Sequence, residues 1–218
     1  NAFLMGEWSR HGWWYYYLIA FGIKNTIPFL LLCLLSFILL QRLGASRTLG
    51  AVLVTPILFF FLITLGDKAQ AGIRYFLPIY PLFFVLAAGT VSYLWKQGRY
   101  LRVLVFLLFV WHAAESLKVF PDYLAYFNQF AGGPSKGYRW LRDSNVDWGQ
   151  DLKGLGEYTR KQGYPEVVML SLAPSDPEYY GISSRPLEKD ELHTPRKTVY
   201  AIGAHFMDLA EWTKGRKP

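Results

Sequence analysis

Four long stretches of this chain are uncharged or carry charge only near their ends, and they limit what it can fold into. They cover residues 25–41, 48–66, 75–95 and 101–117. A helix needs about 20 apolar residues to cross the hydrocarbon core of a bilayer. A helix on the surface of a soluble protein usually keeps one polar face, whereas these stretches show almost none. They therefore predict four membrane-spanning helices rather than the buried helices of a soluble all-α core.

The short connections between the stretches predict their orientation. Residues 42–47 contain two Lys or Arg side chains, residues 96–102 contain three, and neither connection contains an acid. These are alternate connections and so lie on the same side, which the excess of Lys and Arg marks as cytoplasmic. The connection that ends at Arg74 and residues 119–218 then lie outside. The chain is therefore predicted to be an integral protein of the plasma membrane with an extracytoplasmic C-terminal part.

The distribution of charge divides the chain into two unlike halves. The net charge is +7, and all of it belongs to residues 1–118, because residues 119–218 contain thirteen basic and thirteen acidic side chains. The positive charges separate apolar stretches and form no patch, so nucleic acid is not an expected partner. Cys33 is the one cysteine, which excludes an internal disulfide. No pair of His or Cys residues has the spacing of a metal site, and no metal or other cofactor is predicted.

The predicted fold is an α-helical polytopic membrane protein followed by a small soluble α/β domain. The transmembrane region covers residues 1–118 and the extracytoplasmic domain residues 119–218. Residues 8–24 include five consecutive aromatic side chains, which suit the headgroup level of a bilayer and predict an interfacial segment ending at Lys24. The alternative is that this segment extends the first span. In the second domain we expect helices at about 121–130, 136–142 and 148–162, and strands at 167–172 and 198–203.

The stretch DSNVDWGQDL contains an alternation of polar residues, Asp143, Asn145 and Asp147. A calcium-binding EF-hand loop alternates in this way, but it requires Gly at its sixth position and Glu at its twelfth. This chain has Trp and Gly there, so we reject a calcium loop. We predict instead that Asp147 caps a helix starting at Trp148, with Gln150 as its capping-box partner. That leaves Asp143 and Asn145 without a predicted role.

Arg74 and Tyr75 stand where the third apolar stretch begins. One interpretation is that Arg74 anchors a span by reaching to the headgroups, as long basic side chains do. Pro78 and Pro81 follow closely and free backbone groups near the interface, and Lys24 is predicted at the same outer level. A guanidinium can hold two phosphate oxygens at once. Arg74, assisted by Tyr75 and Lys24, is therefore our candidate site for a phosphate at the membrane surface.

Three segments of the chain resemble the polyprenyl-phosphate-sugar glycosyltransferases, which include the protein O-mannosyltransferases and the lipid A aminoarabinose transferases. The segments read GWWYYYLIAFGIKNTIP, GIRYFLPIYPLFFVLAAG and YLAYFNQFAGGPSKGYRWLRDSNVDWGQDL. They occur in this order, and the resemblance extends over about residues 3–180. The sequence KNTIP departs from the usual Lys-Thr-Pro turn of the family but keeps Lys24.

The resemblance implies a multi-span enzyme of the GT-C fold class. Such an enzyme moves a sugar from a lipid-linked phosphate donor to a protein, lipid or glycan acceptor at the outer face of the membrane. The catalytic acid of the family lies in an N-terminal outer loop, so the chain is expected to be a C-terminal half and no catalytic residue is assigned within it. Arg74, Tyr75 and, more loosely, Lys24 match the donor side of the family. The sequence specifies neither the sugar nor the acceptor.

Two other classes of function stay open. The first is a non-enzymatic membrane protein whose outer domain binds a partner or a glycan, and such a protein needs no phosphate-binding residues clustered at one interface. The second is a transporter. Transporters tend to carry polar or broken spans near the midplane of the bilayer, and only Thr55 and Pro56 indicate such a break here.

Overall fold

Apolar helices form most of the first half of the chain. The computed structural model describes residues 2–43, 47–67, 70, 72–171, 173–192 and 194–207. The helices of this half are α1 (Tyr16–Lys24), α2 (Ile27–Ile38), α3 (Arg47–Thr64), α4 (Tyr80–Lys96) and α5 (Arg99–Lys118). A 3-10 helix, Ile73–Ile79, leads directly into α4. Pro81 lies in the first turn of α4, where the N–H that proline lacks would have no partner in the helix.

Three helical segments are long and apolar enough to cross a membrane. They are Thr48–Leu65, Ile73–Lys96 and Arg99–Lys118. Only 17% of the first and of the third is buried, so most of their apolar side chains face away from the protein. An apolar surface of this extent suits a hydrocarbon surrounding rather than water. These segments agree with the spans predicted at 48–66, 75–95 and 101–117.

The region of the predicted first span, 25–41, contains a short helix instead of a long one. The 12 residues of α2 extend about 18 Å, less than the roughly 30 Å of a hydrocarbon core. Asn25 is extended and ends α1, and Thr26 accepts a hydrogen bond from the Phe29 N–H at the start of α2. As a result α1 and α2 are bent by 119° relative to each other, as in a broken span or a re-entrant loop. By length and composition the described chain has three membrane-crossing elements, or four if this pair counts as one.

Aromatic side chains form the core that joins these helices. The ring of Phe21 on α1 lies 5.0 Å from the ring of Phe83 on α4 and 6.0 Å from that of Phe76, between ring centroids. The ring of Tyr17 stacks on Phe76 at 5.2 Å. Aromatic pairs at such distances are favourable beyond the area they bury. This cluster fixes α1 against the 3-10 helix that carries Arg74.

Residues just after α5 pack back onto the helices. Phe127, Leu141 and Val146 are buried in the same cluster as the aromatic core. The helices predicted at 121–130 and 136–142 are wrong. The structure has three 3-10 segments there, which are Tyr123–Ala125, Gln129–Ala131 and Pro134–Arg139. Gly132 and Gly133 adopt positive φ angles of 81° and 80°, a conformation that interrupts a helix and that glycine adopts at low cost.

An antiparallel hairpin that the sequence did not predict lies at the start of the chain. It consists of β1 (Ala2–Leu4) and β2 (Glu7–Ser9). Leu4 forms a further β-bridge with Leu141, and the guanidinium of Arg142 lies 4.1 Å above the ring of Phe3. The hairpin therefore packs against residues from the second half of the chain.

A three-stranded parallel sheet and one α-helix form the rest of the described chain. The elements are α6 (Leu152–Gln162), β3 (Val167–Leu170), β4 (Ser184–Pro186) and β5 (Tyr200–Ile202), with strand order β4-β3-β5. The strands predicted at 167–172 and 198–203 are confirmed as β3 and β5. No strand was predicted at the position of β4. Leu152, Val167 and Ile182 form a hydrophobic cluster of their own beneath this sheet.

Candidate functional site

The bend between α1 and α2 exposes polar groups beside α5. The side chain of Thr26 forms a hydrogen bond of 2.7 Å with Nδ1 of His112 on α5. This contact joins the start of α2 to α5, and both residues line a cavity of about 240 Å³. The polar residues that line this cavity are Lys24, Asn25, Thr26, Tyr80, His112, Ser116, Tyr123 and Tyr126.

An apolar groove adjoins this polar cavity. The groove has a volume of about 360 Å³ and lies between α2, α4 and α5. Its walls include Leu32, Ala88, Val91 and Leu108, and they are almost entirely apolar. Phe29, Phe84 and His112 line both spaces. The two spaces together form one depression, polar at the bend of α1 and α2 and apolar along the helices, which we call the lipid groove.

Lys24 lies at the polar end of the lipid groove and is firmly held there. Its ammonium donates to the carbonyl oxygens of Leu124 and Asn145, each at 2.7 Å. It also lies 4.2 Å from the centre of the Phe127 ring. An ammonium has three donors, so one donor is left after these two hydrogen bonds. Lys24 thus fastens the segment after α5 to the end of α1, and its side chain also lines the polar cavity.

Arg74 and Tyr75 lie on another part of the surface. Both side chains are exposed, and neither lines the lipid groove. The guanidinium of Arg74 lies 5.2 Å from the centre of the Trp148 ring and 5.5 Å from that of Tyr75. Within the described part of the chain it has no hydrogen-bond or ion-pair acceptor. Its donors are therefore available to an anion.

Asn145 connects the two places. It is fully buried, and its side-chain oxygen accepts a hydrogen bond of 3.0 Å from the N–H of Ile73, next to Arg74. Its side-chain nitrogen donates to the hydroxyl of Tyr16 at 3.0 Å, while its carbonyl accepts from Lys24. The structure therefore brings Lys24 and Arg74 to one segment, 143–148, without placing them in one cavity. The sequence pattern drew attention to Asn145 but gave it no role.

The capping role predicted for Asp147 is wrong. α6 begins at Leu152, and Oδ1 of Asp147 accepts a hydrogen bond of 2.9 Å from the N–H of Gly149. Gly149 has a φ of 85°, which prevents a helix from starting at Trp148. Gln150 does reach back, but it accepts from the N–H of Trp148 at 2.8 Å. Asp143 takes a positive φ of 59°, a costly conformation for a residue other than glycine.

His112 and Ser116 are site residues that the sequence reasoning missed. They are four residues apart on α5 and therefore share one face of the helix, and both line the polar cavity. This spacing inside an apolar stretch was the signal that could have identified them. Within the described ranges, no three His, Cys, Asp or Glu side chains lie close enough to hold a metal ion.

Comparisons with known proteins give no match. No protein-family model, no curated protein and no solved structure is similar to this chain at a significant level.

Proposed function

We propose that this chain is part of a membrane glycosyltransferase that moves a sugar from a polyprenyl-phosphate donor to an acceptor at the extracytoplasmic face. The observation that carries the proposal is the lipid groove, with its polar end at Lys24, Thr26 and His112 and its apolar length between helices. A polyprenyl phosphate has the same division into a charged head and a long apolar tail. The resemblance of three sequence segments to glycosyltransferases supports the same conclusion.

In this proposal the prenyl chain lies between α2, α4 and α5, and the phosphate lies at the bend of α1 and α2. Lys24 donates its remaining N–H to a phosphate oxygen, and His112 adds a second polar contact. Arg74 and Tyr75 do not line the groove; in this proposal the phosphate extends out of its polar end along segment 143–148, which both Lys24 and Ile73 contact, and meets Arg74 and Tyr75 there. A guanidinium without a hydrogen-bond or ion-pair acceptor among the described residues can form a charge-assisted pair with phosphate, and such pairs are among the stronger hydrogen bonds. The bend of α1 and α2 forms a fourth crossing element, with residues 119–218 outside.

The first test measures binding of farnesyl phosphate, a short polyprenyl phosphate, to the protein in nanodiscs. Ala88 is exposed and lines the apolar part of the groove, so Ala88→Trp fills the groove without disturbing the core. Forcing a ligand into filled space costs about 1–3 kcal/mol, so we expect roughly 5- to 150-fold weaker binding. The matched control is Ala113→Trp, which adds the same ring at an exposed position of α5 outside the groove. Equal effects of the two substitutions would contradict the proposed binding mode.

The second test measures transfer itself. Membranes containing the intact protein are supplied with radiolabelled polyprenyl-phosphate sugars, and loss of label from the lipid fraction is followed. We expect loss from at least one donor, slowed by Ala88→Trp and unchanged by Ala113→Trp. Binding of farnesyl phosphate without transfer from any donor would favour the non-enzymatic alternative.

A further inference from the structure

A second cavity lies at the carboxyl edge of the parallel sheet and shares no wall residue with the lipid groove. Its volume is about 370 Å³, and its walls include Ser171 and Gly203, the residues that follow β3 and β5. In the strand order β4-β3-β5 the central strand β3 is followed in sequence by β4 on one side and then by β5 on the other. Such a switch point, at the carboxyl ends of parallel strands, is where open α/β sheets bind ligands.

The walls of this cavity combine apolar surface with acidic groups. Leu152, Leu155, Met169 and Met207 supply much of the apolar surface. The ionisable carboxyl groups are those of Asp147 and Asp151. None of the described residues that line the cavity is basic. The cavity therefore disfavours phosphates and carboxylates, unlike the lipid groove.

Asp147 lines the cavity and has one carboxylate oxygen that can accept a hydrogen bond from a ligand. The residue is only 7% exposed, and its Oδ1 is held by the N–H of Gly149. Its Oδ2 has no hydrogen-bond partner in the described part of the chain. A methyl group added to Gly203 would come within 2.8 Å of this oxygen, so the bare glycine leaves room for it. An acceptor oxygen at a cavity wall that receives no donor from the described protein groups is open to a ligand that donates a hydrogen bond.

Asp151 adds a second negative charge at the same place. Partial burial raises the pKa of its carboxyl group, and the neighbouring charges of Asp147 and Asp122 raise it further. Carboxylates that repel each other beside one cavity favour a bound cation. The apolar walls then select a cation that carries an alkyl chain over a hydrated metal ion.

We propose that this cavity binds an aliphatic primary ammonium ligand. The ammonium group donates to Oδ2 of Asp147 and to the carboxylate of Asp151, and the alkyl chain contacts Met169 and Leu155. The source of the amine is any small molecule or lysine side chain that presents this group. The inference does not depend on the glycosyltransferase proposal, because none of these residues takes part in the lipid groove.

The methionines of the chain supply the readout. There are three: Met169 and Met207 line the cavity, whereas Met5 is exposed in the N-terminal hairpin. The full chain is labelled at its methionine methyl groups and titrated with n-butylammonium chloride while methyl NMR spectra are recorded. We expect saturable shifts for Met169 and Met207 and none for Met5. Equal saturable shifts with 1-butanol or with magnesium chloride would overturn the proposal.

Two substitutions test the role of Asp147. Asp147→Asn keeps an oxygen that can accept from Gly149 and removes only the charge, so we expect roughly tenfold or greater weakening of n-butylammonium binding. Gly203→Ala should weaken binding as well, because its methyl group displaces Oδ2. The matched control is Glu157→Gln, an exposed residue of α6 outside the cavity, which should change the affinity little. Unchanged affinity in a folded Asp147→Asn protein, judged by the Met5 signal and the melting temperature, would overturn the proposal.

Discussion

Lys24 contacts parts of the chain that are far apart in sequence. The carbonyl oxygens it holds belong to residues 100 and 121 positions later. Loss of its ammonium would leave two carbonyl groups without their donor, which costs stability for each buried group. A loss of ligand binding in a Lys24 variant would therefore have two explanations. Among the described residues Arg74 forms no such hydrogen bond, which makes it the better residue for testing phosphate binding.

We predict that Arg74→Ala weakens the binding of farnesyl phosphate by roughly 10- to 150-fold. This is the loss of a charge-assisted contact worth about 1.5–3 kcal/mol. Arg74→Lys should restore part of the affinity, since an ammonium is a point charge without the planar fork. Tyr75→Phe should have a smaller effect because one neutral hydrogen bond is lost. Binding is measured by titration of the protein in nanodiscs.

The control for this prediction is Arg99→Ala, at the start of α5. Arg99 lies at the end of a span, like Arg74, but on the predicted cytoplasmic side, so its loss should not affect the affinity. If Arg74 serves only to anchor a span, Arg74→Lys will bind farnesyl phosphate like the wild type, because either cation can anchor. Wild-type affinity of Arg74→Ala would remove Arg74 from the proposed site.

At this scale the sequence predicted some residues and not others. Arg74 and Tyr75 were chosen as candidates because they border an apolar stretch, which is a local feature, and their role stays a prediction. The role of Asn145 could not be predicted, since its partners Tyr16 and Ile73 are 129 and 72 residues away. Asp147 was assigned to a helix cap because the capping pattern is common, and the positive φ of Gly149 is not visible in a sequence.

Among the elements, one buried carboxylate paired with a partly exposed arginine links the strands at the edge of the parallel sheet. Glu191 is 1% exposed, and its two oxygens accept from both terminal nitrogens of Arg185 on β4 at 2.7 Å each. The N–H of Glu188 and the hydroxyl of Tyr200 on β5 also donate to it. Arg196 approaches to 3.6 Å. These contacts link β4 and β5 through a single carboxylate.

We predict that this carboxylate makes the stability of the protein sensitive to acid. The hydrogen bonds from Arg185 lower the pKa of Glu191 from its ordinary value of 4.5 to about 2. A lowered pKa in the folded state stabilises the fold above pH 4.5, and this contribution is lost as the pH falls towards 2. Glu191→Gln should therefore lower the melting temperature most at neutral pH. Thermal unfolding in detergent, recorded between pH 7 and pH 3, measures the difference.

The expected result is a difference between wild type and Glu191→Gln that shrinks below about pH 4.5. Glu166→Gln is a suitable control, because Glu166 is half exposed and lies 3.7 Å from the same Arg185. Solvent screens such a pair, so this variant should follow the wild type at every pH. A constant difference for Glu191→Gln across the pH range would show that packing, not charge, determines its effect.

The helices and strands that were predicted correctly are those with a continuous apolar pattern. Three spans and two strands agree because their patterns are continuous over the whole element. The sequence predicted a boundary at Lys24, and α1 does end there; it did not predict that α2 would stop at Ile38, because the uncharged stretch continues to residue 41. β4 was missed because its sequence, SRP, ends in a proline and is short and polar. Such a strand is set by its pairing with β3 rather than by its own composition.

The orientation of the whole molecule in the membrane can be tested directly. We predict that the connection 96–102 is cytoplasmic and that residues 119–218 are outside. Single cysteines are introduced by Gln97→Cys and by Ser135→Cys, both at exposed positions, in a Cys33→Ala background. In intact cells an impermeant thiol reagent should label the second protein and not the first. Labelling of the first alone would invert the orientation.

The position of the lipid groove also determines how a ligand arrives. Phe84 and Phe109 line it and are 56% and 53% exposed, so it opens through the side of the helices. If the groove holds the proposed lipid donor in a bilayer, this opening faces the acyl chains and the donor enters by moving sideways within one leaflet. Encounter then depends on the number of such molecules per area of membrane and not on their concentration in water. A donor that stays in the membrane would then be sampled from a two-dimensional pool, so that dilution of the surrounding buffer would leave the occupancy of the groove unchanged.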